Sequence, residues 1–182
     1  FLDYKKVQNS LDDNFIYFKA IECFASSLIK EKRRKSALTF ADVSDIALDI
    51  LEKNQKIRGY YKNSFDKIMI DEFQDNNEKQ KKLLYLLSEK KDRFITPCPT
   101  INDIEEDKLF FVGDDKQSIY RFRGADVSVF RSLKDEIKKS GGLNLSVSTN
   151  YRSDKVLIEH FNSTFKNDFV SALASYEAIF QE

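Results

Sequence analysis

Residues 68–75 read IMIDEFQD, a short apolar run followed at once by two acids, and then by a glutamine and a third acid. A short continuous apolar run is typical of a strand that is buried on both faces of a parallel sheet. Sheets of this kind bind ligands at the carboxyl ends of their strands. The segment therefore predicts a buried strand over 68–70 that ends at a functional edge.

A second segment of the same kind lies further along the chain, where residues 108–115 read KLFFVGDD. Gly113 is expected to let the chain turn tightly after this strand, and two acids follow it. The alternating apolar residues of 143–147 predict a third strand. Because apolar helical patterns separate these strands, the sequence indicates an α/β protein with a mostly parallel sheet.

Helices are predicted for much of the remaining chain. The first carries apolar residues at a spacing of three to four, with Cys23 on its apolar face, and ends in the basic run 30–35. Thr39 is the predicted N-cap of the second helix, and residues 54–64 are predicted to interrupt it. Further helices are predicted after the first strand, over 128–139, and over two segments at the end of the chain, the last spanning 168–182. Residues 92–107 are predicted to form a long surface loop with Cys98 exposed.

The composition excludes several classes of protein. Lys and Arg total 30 and Asp and Glu total 30, so the formal net charge is zero. The chain therefore lacks the basic excess that is typical of nucleic-acid-binding proteins. The two cysteines and the single histidine, His160, form no zinc pattern or disulfide framework, and a structural role is expected for His160. No apolar run approaches the roughly 20 residues of a membrane span, and no signal peptide opens the chain, so a cytoplasmic location without a membrane partner is expected.

The acids after the first strand suggest phosphate chemistry. A carboxylate at this position suits Mg²⁺, which favours one or two carboxylates together with waters and substrate phosphates. A second carboxylate beside it would deprotonate a water for attack on phosphorus. A solvated turn or a helix N-terminus would also favour acids, and that alternative stays open for the pair taken alone.

Residues 113–126, GDDKQSIYRFRGAD, form the most specific segment. The amide of Gln117 is suited to detecting a phosphate oxygen. In 120–123 aromatic residues alternate with arginines, a composition that stacks bases and grips their backbone. Taken alone, this run is equally compatible with an ordinary core turn.

Taken together, these segments resemble the UvrD/Rep-like helicases of superfamily 1. Residues 71–75 resemble that family's second motif, 113–126 its third, and 150–153 (NYRS) its fourth, while 39–43 (TFADV) resemble a stretch before the second motif. The spelling is closest to the AddA/RecB helicase–nuclease branch, and the resemblance covers roughly residues 39–165.

The resemblance implies roles for five residues around ATP and Mg²⁺. Asp71 would help to hold Mg²⁺, and Glu72 would activate the attacking water. Gln117 would contact the γ-phosphate and couple it to the DNA groove. Tyr151 would stack on the adenine, and Arg152 would stabilise charge at the γ-phosphate.

The resemblance also implies a DNA contact. Tyr120 and Phe122 would stack on the bases of single-stranded DNA, and Arg123 would meet the DNA backbone. A second helicase–nuclease subunit is a further partner that the family resemblance suggests.

The implied fold is a partial RecA-like, P-loop NTPase-type parallel sheet flanked by helices, with helical N-terminal and C-terminal segments. Residues 1–36 would end an inserted helical subdomain, 37–146 would belong to the first motor domain, and 147–182 would begin the second. The chain has no G-x-x-x-x-G-K-[ST] phosphate loop. The resemblance implies an ATP-dependent DNA helicase that moves 3′ to 5′ on single-stranded DNA and unwinds duplex DNA in repair or recombination. Because the phosphate loop is missing, this chain is expected to be an inactive fragment of such a helicase.

Two other functions remain open from the sequence. The chain could be a catalytically inactive, helicase-derived module that binds DNA or a protein partner. A metal nuclease would instead use the four acids Asp71, Glu72, Asp75 and Asp114, but it would leave Gln117 without a role.

Overall fold

The computed structural model of the chain describes residues 4–171, with side chains described from residue 14 onward. The chain divides into two compact units, Phe1–Ile46 and Ala47–Glu182. The domain boundaries predicted after residues 36 and 146 stay predictions. Residues 172–182, which make up most of the last predicted helix, lie outside the described residues.

The first unit contains helix α1, Tyr4–Arg34, and the start of helix α2, Phe40–Lys53. Thr39 caps α2, as predicted: its backbone N–H and its hydroxyl both donate to Oδ2 of Asp42 at 2.7 Å, and the N–H of Asp42 donates to Thr39 Oγ1 at 3.2 Å. Nζ of Lys32 lies 2.8 Å from the same Oδ2. Hydrogen bonds from Lys32 and Thr39 hold the pKa of Asp42 well below its usual range.

Large apolar side chains along α1 are exposed, among them Phe15, Phe18 and Phe24. Cys23 on the same helix is also exposed, so its predicted place in the core is wrong. The helical periodicity located the helix correctly. It could not establish that other residues of this chain would cover the apolar side.

Helix α2 ends at Lys53, where the interruption was predicted, but the rest of the segment 54–64 is helical, because helix α3 spans Gln55–Ser64. Asn54 caps this helix by accepting a hydrogen bond from the N–H of Ile57 at 3.0 Å. Gly59 lies inside the helix, where a glycine costs about 1 kcal/mol relative to alanine. That cost is offset by packing, since Arg58 and Lys62 of α3 are buried.

The sheet consists of two parallel strands, β1 (Ile68–Ile70) and β2 (Leu109–Phe111). Both were predicted, and Ile68 pairs with Leu109 while Ile70 pairs with Phe111. Their burial on both faces is contradicted, because Met69 is 76% exposed and Phe110 is 57% exposed on the opposite face. Among the described residues, nothing buries that face.

The predicted strand at 143–147 is also wrong for the described part of the chain, where this segment joins no strand ladder. Leu143, Leu145 and Val147 are all exposed. A strand needs a neighbour to satisfy its backbone groups, and apolar alternation alone does not supply one.

Two predicted helices pack beside the sheet: α4, Glu78–Ser88, and α5, Val127–Lys139. The core between these elements is built from apolar side chains of β1, β2, α4, α5, the turn after β1 and the loop before β2. Its buried members are Phe73, Leu84, Tyr85, Ile104, Val129, Phe130 and Leu133. A second cluster joins Leu86 of α4 to Leu48 and Leu51 of α2.

A partly buried polar contact also joins α4 to α5. The hydroxyl of Tyr85 donates to Oε2 of Glu136 at 2.7 Å, and Nζ of Lys81 lies 2.6 Å from Oε1 of the same carboxylate. Burial, together with the hydrogen bond to Glu136, raises the pKa of Tyr85 far above its usual value. The two helices are therefore held by a hydrogen-bonded network as well as by apolar packing.

The long loop 92–107 contains more local structure than the sequence predicted. It contains a 3₁₀ turn, Ile101–Asp103, and a bridge between Glu89 and Ile104. Cys98 packs against the core, so its predicted exposure is wrong, and burial raises the pKa of its thiol.

Helix α6, Lys155–Phe165, is the last element described and was predicted. His160 lies on it and is exposed. None of the described helices is long and apolar enough to cross a membrane.

Candidate active site

The two acidic segments meet at one edge of the sheet, as their positions after parallel strands predicted. The N–H of Val112 donates to the carbonyl of Ile70 at 2.8 Å. The N–H of Phe73 then donates to the carbonyl of Val112 at 2.9 Å, one step beyond the paired strands. The turns that follow β1 and β2 are therefore joined directly by backbone hydrogen bonds.

Glu72 adopts a left-handed backbone conformation, with φ 51° and ψ 42°. This conformation costs a residue other than glycine about 1–2 kcal/mol. The N–H of Glu72 donates to Oδ1 of Asp71 at 2.9 Å, which helps to hold the turn. Strained backbone of this kind concentrates at functional sites, where the surrounding structure holds it in place.

Gln74 links the two segments and was not among the predicted site residues. It is 1% exposed. Its Nε2 donates to Oε2 of Glu72 at 2.6 Å, and its Oε1 accepts the N–H of Asp114 at 3.0 Å. The hydroxyl of Ser118 donates to the Gln74 carbonyl at 3.2 Å. The only sequence signal was an amide side chain among the acids of 71–75.

Gly113 is required for a different reason from the one predicted. Its φ is not positive, so the turn itself does not demand glycine. A Cβ at this position would lie 2.6 Å from Oε1 of Gln74 and 3.1 Å from Cζ of Phe130. Glycine therefore allows the buried amide and the core ring to approach the backbone after β2.

Asp114 and Gln117 form the next part of the site, in and before the 3₁₀ turn Asp115–Gln117. The side-chain amide of Gln117 donates to Oδ2 of Asp114 at 3.2 Å, and Nζ of Lys116 lies 2.9 Å from Oδ1. Burial raises the pKa of Asp114, but hydrogen bonds from Lys116 and Gln117 and the charge of Lys116 outweigh it, so the pKa is lowered overall.

Asp115 attaches this turn to α5. Its Oδ2 lies 2.9 Å from Nε of Arg131, and its Oδ1 lies 3.5 Å from Nζ of Lys134. Burial raises the pKa of Asp115, but the hydrogen bond from Arg131 and the charges of Lys134 and Arg131 lower it by more. The position of Gln117 therefore depends on α5 as well as on β2.

The predicted DNA-contact residues form one cluster around a 3₁₀ turn, Arg121–Arg123. The rings of Tyr120 and Phe122 are 6.0 Å apart between centroids, and Phe122 is 78% exposed. The guanidinium of Arg123 lies 5.2 Å from the Tyr120 centroid and 5.5 Å from that of Phe122. The turn ends at Gly124, whose φ of 89° favours glycine.

Tyr151 and Arg152 lie on the surface of the described chain. Tyr151 is 89% exposed, and Arg152 is exposed as well. The N–H groups of Arg152 and Ser153 donate to Oδ1 of Asn150 at 2.9 and 3.0 Å, which forms a local turn. Within residues 14–171, no hydrogen bond or ion pair joins Tyr151 or Arg152 to Glu72 or Gln117.

The acidic edge fits a Mg²⁺ ion that takes most of its ligands from waters and phosphates. Asp71 is exposed at the end of β1, and one of its oxygens accepts a backbone N–H. The described residues contain no group of three or more His, Cys, Asp or Glu side chains that could hold a metal ion by themselves. One oxygen of Asp75, Oδ1, is buried without a hydrogen-bond partner in that part of the chain. The described residues therefore do not bring Asp71, Glu72, Asp75 and Asp114 together as one metal-binding cluster.

Comparison with known proteins places this arrangement in a family. The UvrD/REP helicase N-terminal domain matches residues 2–138. An ATP-dependent helicase/nuclease subunit of Streptococcus agalactiae is 35% identical over 144 residues, 78% of this chain and 11% of that protein. A protein of the same name from Streptococcus mutans is 37% identical over 145 residues, which are 78% of this chain and 11% of that protein. Another from Streptococcus sanguinis is 35% identical over 148 residues, which are 79% of this chain and 10% of that protein.

The chain thus spans about a tenth of the length of these relatives. The match covers the strand-end acids, the Gln74 bridge and the aromatic cluster. The chain belongs to the UvrD/REP helicase family, and residues 2–138 correspond to its N-terminal domain.

Proposed function

We propose that this chain is a segment of an ATP-dependent DNA helicase of the AddA-like helicase/nuclease type and supplies part of its ATP-hydrolysing edge. The observation that carries the proposal is the chain of hydrogen bonds from Glu72 through Gln74 and Asp114 to Gln117. This chain joins a carboxylate suited to activating water to an amide suited to detecting a phosphate. In this proposal β1 and β2 belong to a RecA-like sheet whose other strands lie elsewhere in the protein.

In this proposal Glu72 is the general base. Its position at the carboxyl end of a parallel strand is where open α/β sheets bind their ligands. Asp71, one residue earlier, would hold a Mg²⁺ ion, which supplies charge neutralisation for ATP when bound. Gln117 would donate to the γ-phosphate in place of Asp114, which is its partner here.

Tyr151 and Arg152 would complete the nucleotide site from a separate segment. Both are exposed, and the turn at Asn150 leaves them on the surface of the described chain. We propose that Tyr151 stacks on adenine and that Arg152 stabilises charge at the γ-phosphate once the motor domains close on ATP.

The aromatic cluster of Tyr120, Phe122 and Arg123 is the proposed contact to single-stranded DNA. Its exposed rings suit stacking, and the adjacent guanidinium suits a phosphate. The turn carrying Gln117 is separated from the cluster by only two residues. Translocation of the helicase on single-stranded DNA would therefore be coupled to ATP hydrolysis through one short segment. By the family resemblance, we propose that the helicase moves 3′ to 5′ along the strand and unwinds duplex DNA. A second helicase–nuclease subunit is the proposed protein partner.

The test of hydrolysis uses the full-length protein that contains these residues. We expect DNA-stimulated ATP turnover that falls by about 100-fold or more in Glu72→Gln, because a general base contributes about 10²–10⁴-fold. Glu78→Gln is the matched control, since that carboxylate is exposed on α4 and lies outside the site. The isolated 182-residue chain, which lacks a phosphate loop, is expected to show no turnover. Turnover by the full-length protein that survives Glu72→Gln would refute the assignment.

The DNA contact is tested by single-strand binding to the same full-length protein. Phe122→Ala is expected to weaken binding by about 5- to 100-fold, as for the loss of one stacked base. Tyr60→Ala removes an aromatic ring of similar exposure from α3 and is expected to leave binding unchanged. Equal affinities for the Phe122→Ala and Tyr60→Ala variants would rule out the proposed platform.

A further inference from the structure

The buried side-chain amide of Gln74 occupies a position that only an amide satisfies on both sides. On one side lies a carboxylate oxygen of Glu72, which accepts hydrogen bonds, at 2.6 Å. On the other lies the backbone N–H of Asp114, which donates, at 3.0 Å. A carboxylate at position 74 would satisfy the N–H but oppose Glu72, and an apolar side chain would leave both groups unpaired.

The surrounding residues pack closely around the Gln74 amide. Gln74 is 1% exposed, and the absence of a side chain at Gly113 leaves the space that its Oε1 occupies. Its carbonyl accepts the Ser118 hydroxyl at 3.2 Å, which holds its main chain at a third point. The amide has one favourable orientation in this environment, since reversing it would set its donors against the Asp114 N–H.

Glu72, in contrast, has few constraints of its own. It is exposed, and it lies in a strained left-handed turn. Within the described residues, the Gln74 amide is the only group that donates a hydrogen bond to its carboxylate. The bond engages Oε2 and leaves Oε1 without a protein partner there.

We infer that Gln74 is a positioning residue for Glu72: it fixes the carboxylate so that the second oxygen is presented to the attacking water. This inference rests on the proposed role of Glu72 as general base. It also makes the orientation of the base depend on the segment after β2, because the same amide is anchored to Asp114. The segment that carries Gln117 and the aromatic cluster therefore helps to set the geometry of the base.

The experiment compares variants of the full-length protein by kcat and by KM for ATP. Gln74→Met keeps the length of the side chain and removes both hydrogen bonds, and Gln74→Glu keeps the acceptor for Asp114 but opposes Glu72. Both are expected to lower kcat by about 10- to 100-fold, the loss typical of a misplaced catalytic group. KM for ATP is expected to stay within about twofold, because Gln74 makes no contact with the nucleotide in this scheme.

A double variant and a stability control distinguish positioning of Glu72 from a merely structural role of Gln74. In the Glu72→Gln background, Gln74→Met is expected to cause no further loss of the residual rate, because there is no base left to position. Leu48→Ala, a truncation in the second cluster between α2 and α4, lowers thermal stability without touching the amide or α5 and is expected to leave kcat unchanged.

Three outcomes overturn the inference. A kcat in both Gln74 variants within about twofold of the parent protein would exclude positioning while leaving the proposed function intact. If Gln74→Met lowers kcat by the same factor in the Glu72→Gln background as in the parent protein, positioning of Glu72 is also excluded, and the proposed function again stays intact. If Glu72→Gln itself leaves turnover unchanged, both the proposed function and the inference fail.

Discussion

Nη2 of Arg58 lies 2.7 Å from Oε1 of Glu89, and neither side chain is exposed. Nζ of Lys62 lies 3.1 Å from the other carboxylate oxygen and also donates to the carbonyl of Lys90 at 2.8 Å. The N–H of Ile95 donates to Glu89 Oε1 at 2.6 Å. One buried carboxylate thus pairs with two cations of α3 and holds the start of the long loop.

Glu89→Gln is expected to destabilise the 182-residue chain by about 3–5 kcal/mol, because it leaves buried charges without a counter-ion. Urea unfolding measures the change. Asp49→Asn is the matched control, since it breaks the exposed pair with Lys53 on α2 and is expected to cost no more than about 0.5 kcal/mol. Equal losses in the two variants would contradict the importance of the buried network.

Two glycine-to-alanine substitutions are expected to have opposite effects. Gly113→Ala brings a methyl group against Gln74 and Phe130 and is expected to cost about 1–3 kcal/mol of stability. Gly59→Ala meets nothing within 4 Å inside α3 and is expected to gain about 0.5–1 kcal/mol. Thermal unfolding of both variants measures this, and a stabilised Gly113→Ala would show that the space beside Gln74 is larger than described.

Asp115→Asn is expected to lower stability at pH 7 by about 0.5–1 kcal/mol, since the carboxylate is paired with Arg131 and Lys134 at a partly buried site. The pKa of Asp115 is lowered in the folded protein. Its contribution is therefore complete above the ordinary Asp pKa of about 4 and is lost as pH falls below it toward the lowered value.

The measurement is the free energy of unfolding of both proteins across this range. The difference between the parent chain and Asp115→Asn should shrink as the pH falls below about 4. Asp135→Asn, an exposed change on the same helix, serves as the control for added neutral amide. If the stability difference instead grew as the pH fell, the assigned lowering of the Asp115 pKa would be wrong.

The two thiols are expected to react at different rates in the folded 182-residue chain. Cys23 is exposed, whereas Cys98 packs against the core and burial raises the pKa of its thiol. Alkylation with iodoacetamide near neutral pH should therefore modify Cys23 first, because the thiolate is the reactive form. Mass spectrometry of quenched samples measures the order. In urea the two rates should converge, and faster modification of Cys98 in the folded chain would contradict its packing.

Several elements followed from local sequence because their causes are local. The apolar runs at 68–70 and 109–111 formed strands, and Thr39 capped α2 through its own near neighbour Asp42. Parallel pairing then placed both acidic segments at one edge, as the order of strands and helices predicted. The family was likewise predicted from the motifs and then confirmed.

Other features depended on contacts between residues far apart in the chain. The run 143–147 had the alternation of a strand but found no partner among the described residues, and α3 formed where its glycine suggested a break. The local patterns around Cys23 and Cys98 predicted burial for the wrong thiol, because burial depends on which distant residues pack against each of them.

The residue types of the site were therefore determined by sequence alone: strand-end acids, a glutamine, and aromatics beside arginines. Tertiary structure decided what holds them. The amide of Gln74 reaches Asp114 across 40 positions of sequence, in space that Gly113 leaves open. A hydrogen bond of this kind depends on the pairing of β1 with β2, so no local pattern could have revealed it.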